Sequence, residues 1–263
     1  MPPIAPHHEP LIIDNSQSFL MRIALLADIH GNLGALEAVL ADLQREPVDQ
    51  LVCLGDVAIF GPQPRQTLAR VRALGCPVVM GNTDAWALDP HPHPVRNDET
   101  PKINAVELWT AAQLRDEDRA FIRTFAPTVE ISLGQAQRLL CYHGSPRSFH
   151  HAIVATTPED QLGEWFAGHD ALILAGGHTH AQFLRRWQDR MLLNPGSVGL
   201  PYERLADGRT RNPPWAEYAV LTWADGRLGI DLRRTPVDLT ALQQAVRQTD
   251  MPFADWWLAA WQP

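Results

Sequence analysis

Leu25-Leu26-Ala27-Asp28-Ile29-His30-Gly31-Asn32 is the stretch whose reading decides the fold. The apolar run from Ile23 to Ala27 predicts a short buried strand. It ends in Asp28 and His30, a carboxylate and an imidazole with one residue between them. In extended backbone, residues i and i+2 face the same side, so both side chains are expected to converge on one cation at the strand's end. Gly31 and Asn32 break the strand, and Leu33, Leu36, Leu40 and Leu43 then recur at helical spacing. The unit is strand, liganding loop, helix. A single Asp-x-His after a strand is more often a cap and a turn than a metal site. The reading gains force because the pattern returns four more times.

Outward from this unit, Leu51-Val52-Cys53-Leu54 predicts a second buried strand, ending in Gly55-Asp56. Residues 64–74 predict a helix that opens on proline, where a missing N–H costs nothing, and closes at Gly75. Pro77-Val78-Val79-Met80 predicts a third strand, ending in Gly81-Asn82-Thr83-Asp84. Strands alternating with helices imply a parallel sheet with ligand loops at its carboxyl ends. Residues 85–101, rich in Pro, His and Asp, read as a loop, and 103–114 and 116–125 as two helices. Strands are expected at 129–133 and 138–142, the latter ending in His143-Gly144. A helix at 158–167 leads to a buried strand at 171–175, ending in Gly177-His178-Thr179-His180. Runs at 182–187, 191–193, 218–223 and 228–234, separated by turn pairs such as Asp225-Gly226, predict an antiparallel meander. A last helix is expected at 239–246, followed by an aromatic cluster of Phe253, Trp256, Trp257 and Trp261.

Composition bounds the function. With 263 residues and 45% hydrophobic content, the chain can bury a sizeable α/β core. A formal net charge of -8 argues against general affinity for nucleic-acid backbones. Cys53, Cys76 and Cys141 are odd in number and widely spaced, which fits free thiols in a reducing compartment. No run approaches a membrane span, and residues 1–20 lack the charged start of a secretory signal, so a cytoplasmic protein is expected.

The five strand ends supply two Asp, one Asn and four His without a thiolate. That donor set suits manganese first, with iron, zinc or nickel as alternatives, better than a soft metal. Seven ligands exceed one tetrahedral site and suit two divalent ions that share a carboxylate. At this point the sequence resembles the calcineurin-like metallophosphoesterases, whose signature is Asp-x-His, Gly-Asp, Gly-Asn-x-Asp, a His, and Gly-His-x-His. All five blocks occur in order over residues 22–180, and Asn194-Pro195-Gly196-Ser197-Val198-Gly199 is similar to the branch of small bacterial and archaeal phosphodiesterases.

The resemblance implies a four-layer α-β-β-α sandwich. It implies one metal held by Asp28, His30, Asp56 and His180, and a second held by Asp56, Asn82, His143 and His178, with Asp56 bridging. It makes Asp28, Asp56, Asn82 and His143 the catalytic set. It implies two ions about 3.5–4 Å apart and attack on phosphorus by a metal-bridging hydroxide. The 194–199 loop is expected either to orient His178 and His180 or to be a tight turn. Many members carry His as the third residue of the Gly-Asn block, whereas here it is Thr83, which is no general acid at neutral pH. Asp84 is then left for a structural role such as capping the next helix. Thr83, Arg147 and His150 are the candidate substrate contacts, and His151 is a second residue that could line the pocket. His7, His8, His91 and His93 are expected to be solvated.

The expected organisation is an extension at 1–20, the catalytic domain at 21–248 and a Trp-rich segment packed on it at 249–263. The tryptophans alternatively form a subunit contact in a homo-oligomer. The expected activity is phosphodiester hydrolysis of a small phosphoester. Its rivals are phosphomonoester hydrolysis, nucleotide pyrophosphate hydrolysis, and a metal-bound protein-interaction scaffold.

Overall fold

Ile23 and Leu25 point one way from their strand and Ala24 and Leu26 the other, and all four are buried. A strand apolar on both faces must lie between two layers. The computed structural model, which describes residues 11–14, 20–134 and 136–262, supplies them. The strands are β1 (Leu11–Asp14), β2 (Leu20–Leu26), β3 (Gln50–Cys53), β4 (Val129–Gly134), β5 (Gln137–Cys141), β6 (Ile173–Ala175), β7 (Phe183–Trp187), β8 (Arg190–Asn194), β9 (Glu203–Arg204), β10 (Thr210–Arg211), β11 (Trp215–Ala224) and β12 (Arg227–Pro236). The helices are α1 (Leu33–Leu43), α2 (Pro64–Leu74), α3 (Asn82–Leu88), α4 (Thr100–Ala112), α5 (Asp116–Ile122), α6 (Glu159–Trp165), α7 (Leu239–Arg247) and α8 (Ala254–Ala259).

One large sheet runs β12-β11-β2-β3 and the other β1-β4-β5-β6-β8-β7, while β9 and β10 pair as a separate short ribbon. Met21, Ile23, Leu25, Val52 and Leu54 of the first meet Val129, Ile131, Leu139, Cys141, Ile173 and Leu193 of the second. The outer face of the first sheet packs on α1 and α2 through Leu36, Val39, Leu68 and Val71. The outer face of the second packs Leu140, Leu174 and Leu192 on Leu162 of α6 and on Phe166. The result is the expected α-β-β-α sandwich.

Local differences have local causes. The segment expected as a third strand at 77–80 makes two single bridges, Cys53 with Val78 and Val79 with Ala126, rather than a ladder. Pro77 has no N–H to offer, so pairing cannot extend backwards. The expected meander is instead split: β7 and β8 pair in one sheet, and β11 and β12 in the other. Helix α4 starts three residues early because Pro101 sits in its first turn, where no N–H is needed. Helix α5 stops at Ile122, short of the expected 125. Within the stretch expected to be an extension, β1 pairs in parallel with β4 as an edge strand, with Leu11 and Ile12 exposed. His7 and His8 lie outside the described residues.

Candidate metal centre

The loops leaving β2, β3 and β6 bend abruptly. Asp28, His30, Asp56, His178 and His180 all have left-handed backbone, with φ of 55°, 48°, 56°, 71° and 55°. Such angles are uncommon outside glycine, and they persist where the surrounding structure over-determines them. Here backbone bonds do so: Asp28 N–H donates to Gly55 at 3.0 Å, His30 N–H to Asp56 at 2.9 Å, and Gly177 N–H to His143 at 2.9 Å. The convergence of Asp28 and His30 therefore comes from two left-handed turns beyond the end of β2, not from strand alternation. Gly81 must be glycine for a different reason, since a Cβ there would lie 2.1 Å from Asp56 Oδ1.

The imidazoles are locked from behind. Nδ1 of His30 lies 2.8 Å from the Ile59 carbonyl, Nδ1 of His143 2.8 Å from Leu54 O, and Nδ1 of His180 2.7 Å from Leu200 O. A carbonyl only accepts, so each Nδ1 carries the proton and each Nε2 turns forward as an acceptor. His30 Nε2 and His180 Nε2 then face each other at 3.1 Å, with Asp28 Oδ1 3.3 Å from His180 Nε2. Asp56 Oδ2 lies 3.7 Å from His30 Nε2 and 3.5 Å from His143 Nε2, so it reaches both sides of the cluster. One end of the Asn82 amide is 2.9 Å from His143 Nε2 and 2.8 Å from His178 Nδ1. With its nitrogen inward that amide donates to both rings and, at 3.2 Å, to Asp56 Oδ2; with its oxygen inward it adds one more lone pair. No amide turn relieves the His30–His180 encounter.

The charges tell the same story. Burial disfavours ionised His143, yet the Asp56 carboxylate beside it, with Asp28 behind, pushes its pKa up to about 9. His180 is likewise raised, with Asp28 outweighing burial. Asp28 and Asp56, though fully buried, are held below the usual carboxylate range by these imidazoles. The cluster draws in positive charge. Ligand atoms of Asp28, His30 and His180 lie within 4.8 Å of one another, as do those of Asp28, Asp56 and His143. Two buried carboxylates, Asp28 accepting from His178 N–H at 3.0 Å and Asp56 from Thr83 N–H at 2.9 Å, stand among four imidazoles and an amide, a donor set that fits divalent cations of the oxygen- and nitrogen-loving kind.

Residues 21–226 match the model of the calcineurin-like phosphoesterase superfamily domain. The chain belongs to this superfamily. A metallophosphoesterase from Sphaerobacter thermophilus is 25% identical, with a TM-score of 0.68 over 91% of this chain and 98% of that one. A hypothetical protein from Pyrococcus horikoshii shares the fold at a TM-score of 0.72, with 19% identity over 88% of this chain and 94% of that one. An uncharacterized protein of Methanocaldococcus jannaschii is 26% identical over 246 residues, 88% of this chain and 93% of its own length.

All seven residues that the phosphoesterase signature singles out meet at this one place. Around them, Asp84 Oδ2 accepts from Asp56 N–H at 2.7 Å and Gly81 N–H at 3.1 Å, and Oδ1 from Val57 N–H at 2.9 Å. It thus caps α3 and also clamps the Asp56 loop. Burial, and next the Asp56 charge, raise its pKa to about 7. The 194–199 loop grips backbone rather than imidazoles. Asn194 donates to Gly177 O at 2.7 Å, and Ser197 Oγ to Asp28 O at 2.7 Å. Thr83 N–H donates to Asp56 Oδ1 at 2.9 Å, while its buried hydroxyl has no partner.

Arg147 is not brought to the cluster: it is exposed, and its guanidinium reaches the Ala167 carbonyl at 3.4 Å. His150 is exposed, and among the described residues no contact ties its ring to the centre. His151 stacks on Trp165 and meets Ser145 Oγ at 2.8 Å, away from the ligands. His93 is exposed but fixed, stacked on Trp86. Sequence reading missed the anchoring carbonyls of Leu54, Ile59 and Leu200, because a backbone acceptor has no residue signature. No helix among the described residues is long and apolar enough to cross a membrane.

Proposed function

We propose that this protein is a dinuclear-metal phosphodiesterase of the cytoplasm, acting on a small phosphoester. The observation that carries the reading is the 3.1 Å approach of His30 Nε2 and His180 Nε2, each with its Nδ1 anchored to a carbonyl. Two ring nitrogens held face to face beside Asp28 call for positive charge between them, which a proton on His180 or a bound metal ion supplies. Asp28, His30, Asp56 and His180 would hold one ion, and Asp56, Asn82, His143 and His178 the other, with manganese favoured. Bound there, such a pair supplies an activated water and neutralises phosphoryl oxygens.

The chain's own residues do the rest. Asp56 spans the two sides of the cluster and sets their separation. The carbonyls of Ile59, Leu54 and Leu200 keep the rings from rotating. The Thr83 hydroxyl, buried and without a partner, would donate to a phosphoryl oxygen once a substrate reaches it. It does not protonate a leaving group, so good leaving groups are favoured. A diester also brings less negative charge than a monoester to a site with two carboxylates.

We read residues 21–248 as the catalytic domain, 249–263 as a segment packed on it, and 1–20 as an extension. A chain beginning at Met21 is expected to keep its activity per metal-loaded site. The function itself is tested by stripping the protein with a chelator and restoring Mn²⁺, Fe²⁺, Zn²⁺ or Ni²⁺ singly. Metal-dependent hydrolysis of bis(p-nitrophenyl) phosphate, with alkyl monoesters poor, is expected. Preference for alkyl monoesters, or no metal-dependent hydrolysis, overturns the reading.

A further inference from the structure

A cavity of about 450 Å³ opens beside the metal centre and shares His180 with it. Its other walls include Phe60, Tyr202, Asn212, Trp256 and Trp257, brought together from three distant parts of the chain. The Tyr202 ring stands 6.4 Å from the His180 ring and is 45% exposed, a large aromatic at the mouth. Phe60 follows Ile59, whose carbonyl anchors His30, and has a φ of 89°. For a bulky residue that is a genuine outlier, of the sort found at ligand clamps. Phe60 meets Trp256 edge to face, at 6.4 Å and 89°. Trp256 is itself held by an Nε1–H bond to Glu99 at 3.4 Å.

Two features narrow the occupant. Asn212 spends its backbone N–H on Ala260 O at 2.7 Å and its carbonyl on Gln262 N–H at 3.1 Å. Its side-chain amide has no partner among the described residues. An amide offers donors and an acceptor together, the complement of a heterocycle's polar edge and of no use to a plain hydrocarbon ring. Among the described residues Glu99 lines the cavity and no Lys or Arg does, while the Lys102 ammonium stands 5.5 Å from the centre of the Trp256 ring, so the walls gather no cluster of cations for a second phosphate. These walls suit an occupant that is flat, aromatic and edged with polar atoms.

We infer that this cavity binds the nucleoside end of a phosphodiester whose phosphorus sits on the metal centre, with Tyr202, Phe60 and Trp256 contacting the base and Asn212 reading its edge. The inference rests on the phosphodiesterase reading of the centre and names its substrate class. Aromatic contact with a base is typically worth about 5- to 150-fold in affinity.

The test compares two diesters with one leaving group, the p-nitrophenyl ester of thymidine monophosphate and methyl p-nitrophenyl phosphate, on the metal-loaded full chain. The wild type should prefer the nucleoside ester by about tenfold or more in kcat/KM, mostly through KM. Tyr202→Ala and Asn212→Ala should each shrink that ratio severalfold. Because both esters are read on the same protein, losses of folded or loaded enzyme cancel. Equal rates on the two esters, or a ratio unmoved in both variants, overturn the inference. Quenching of tryptophan fluorescence by thymidine, present in the wild type and weakened in Tyr202→Ala, reads the cavity without catalysis. Quenching without hydrolysis would leave the cavity assigned and sink the hydrolase reading. Hydrolysis with neither preference nor quenching would do the reverse.

Discussion

The candidate metal centre and the aromatic cavity share His180 yet are built by opposite means. In the centre, five side chains leave left-handed backbone, and three imidazoles are tied to carbonyls. In the cavity, Tyr202 is half exposed, and Trp256 is held by an edge-to-face ring and one long hydrogen bond. A cation needs its ligand atoms placed to within about half an ångström, which backbone anchoring provides. A planar ring tolerates sliding, so side-chain walls suffice. Changes in the centre should therefore abolish chemistry, and changes in the wall should alter only what is selected.

The sharpest way to break that contrast is Asp56→Asn. Asp56 reaches both His30 and His143, within 3.7 and 3.5 Å, and an uncharged amide bridges two cations poorly. Metal content should fall at both positions and kcat by at least about 10²-fold, the upper end of what outer-sphere changes cost. Full metal content and activity in this variant would show that Asp28, which belongs to both triads of potential ligands, is the bridge instead.

Next comes Asp84→Asn, one step removed from the ligands. Three backbone N–H groups point at this buried carboxylate. An amide nitrogen would have to face at least one of them, and an unsatisfied buried donor costs about 1–3 kcal/mol. Thermal melting should show that loss, and a metal titration an affinity about 10–100-fold weaker. Unchanged metal affinity would mean that the Asp56 loop keeps its shape without its clamp.

Thr83 sharpens the contrast from inside the centre, because its hydroxyl is unspent. Thr83→Ala should slow diester cleavage about tenfold at constant metal content, below the 10²–10³ lost with a full oxyanion donor. Thr83→His should help esters with poor leaving groups more than nitrophenyl esters. The new ring gains nothing from Asp84, whose oxygens are already spent on backbone. A uniform effect across leaving groups would argue against any acid role at this position.

How far the sequence led follows the same division. The candidate ligands were legible because each block ends a buried apolar run, and because the five blocks together resemble one family's signature. The reason for their convergence was not: Asp28 and His30 look like neighbours on one strand face, but both are left-handed and lie beyond β2. Pro77 hid the weakness of the 77–80 pairing inside an apolar run. Arg147 was drawn toward the site by its nearness in sequence to His143, yet its loop carries it to Ala167. The cavity was illegible because Phe60, Tyr202, Asn212 and Trp256 share neither spacing nor motif. Only the tryptophan cluster stood out, and packing alone accounts for Trp257 and Trp261 in their own core with Val106 and Val246.

The smallest effect on catalysis is expected at Glu107, on the helix α4 that lies behind both regions. This carboxyl is buried, with His93 Nε2 2.9 Å from Oε2 but out of line for a hydrogen bond. Burial, and then His91, Arg96 and His150, hold the His93 pKa below the usual value, which weakens it as a partner for the carboxylate. Burial, and next the Asp56 carboxylate, push the Glu107 pKa from 4.5 to about 7. The folded pKa is thus the higher one. Below pH 4.5 the carboxyl is protonated in both states and nothing is lost. Between about 4.5 and 7 the unfolded chain releases its proton first, so the folded state binds more protons and stability falls as pH rises. Above about 7 the loss is complete. Glu107→Gln removes this titration, so its stability relative to wild type should rise from pH 5 to pH 8 by on the order of 1–3 kcal/mol, then level off. Denaturant midpoints for both proteins across that range measure it. A difference that stays flat would mean that Glu107 keeps its charge inside the fold, and that α4 feels neither burial nor the Asp56 carboxylate as the geometry requires.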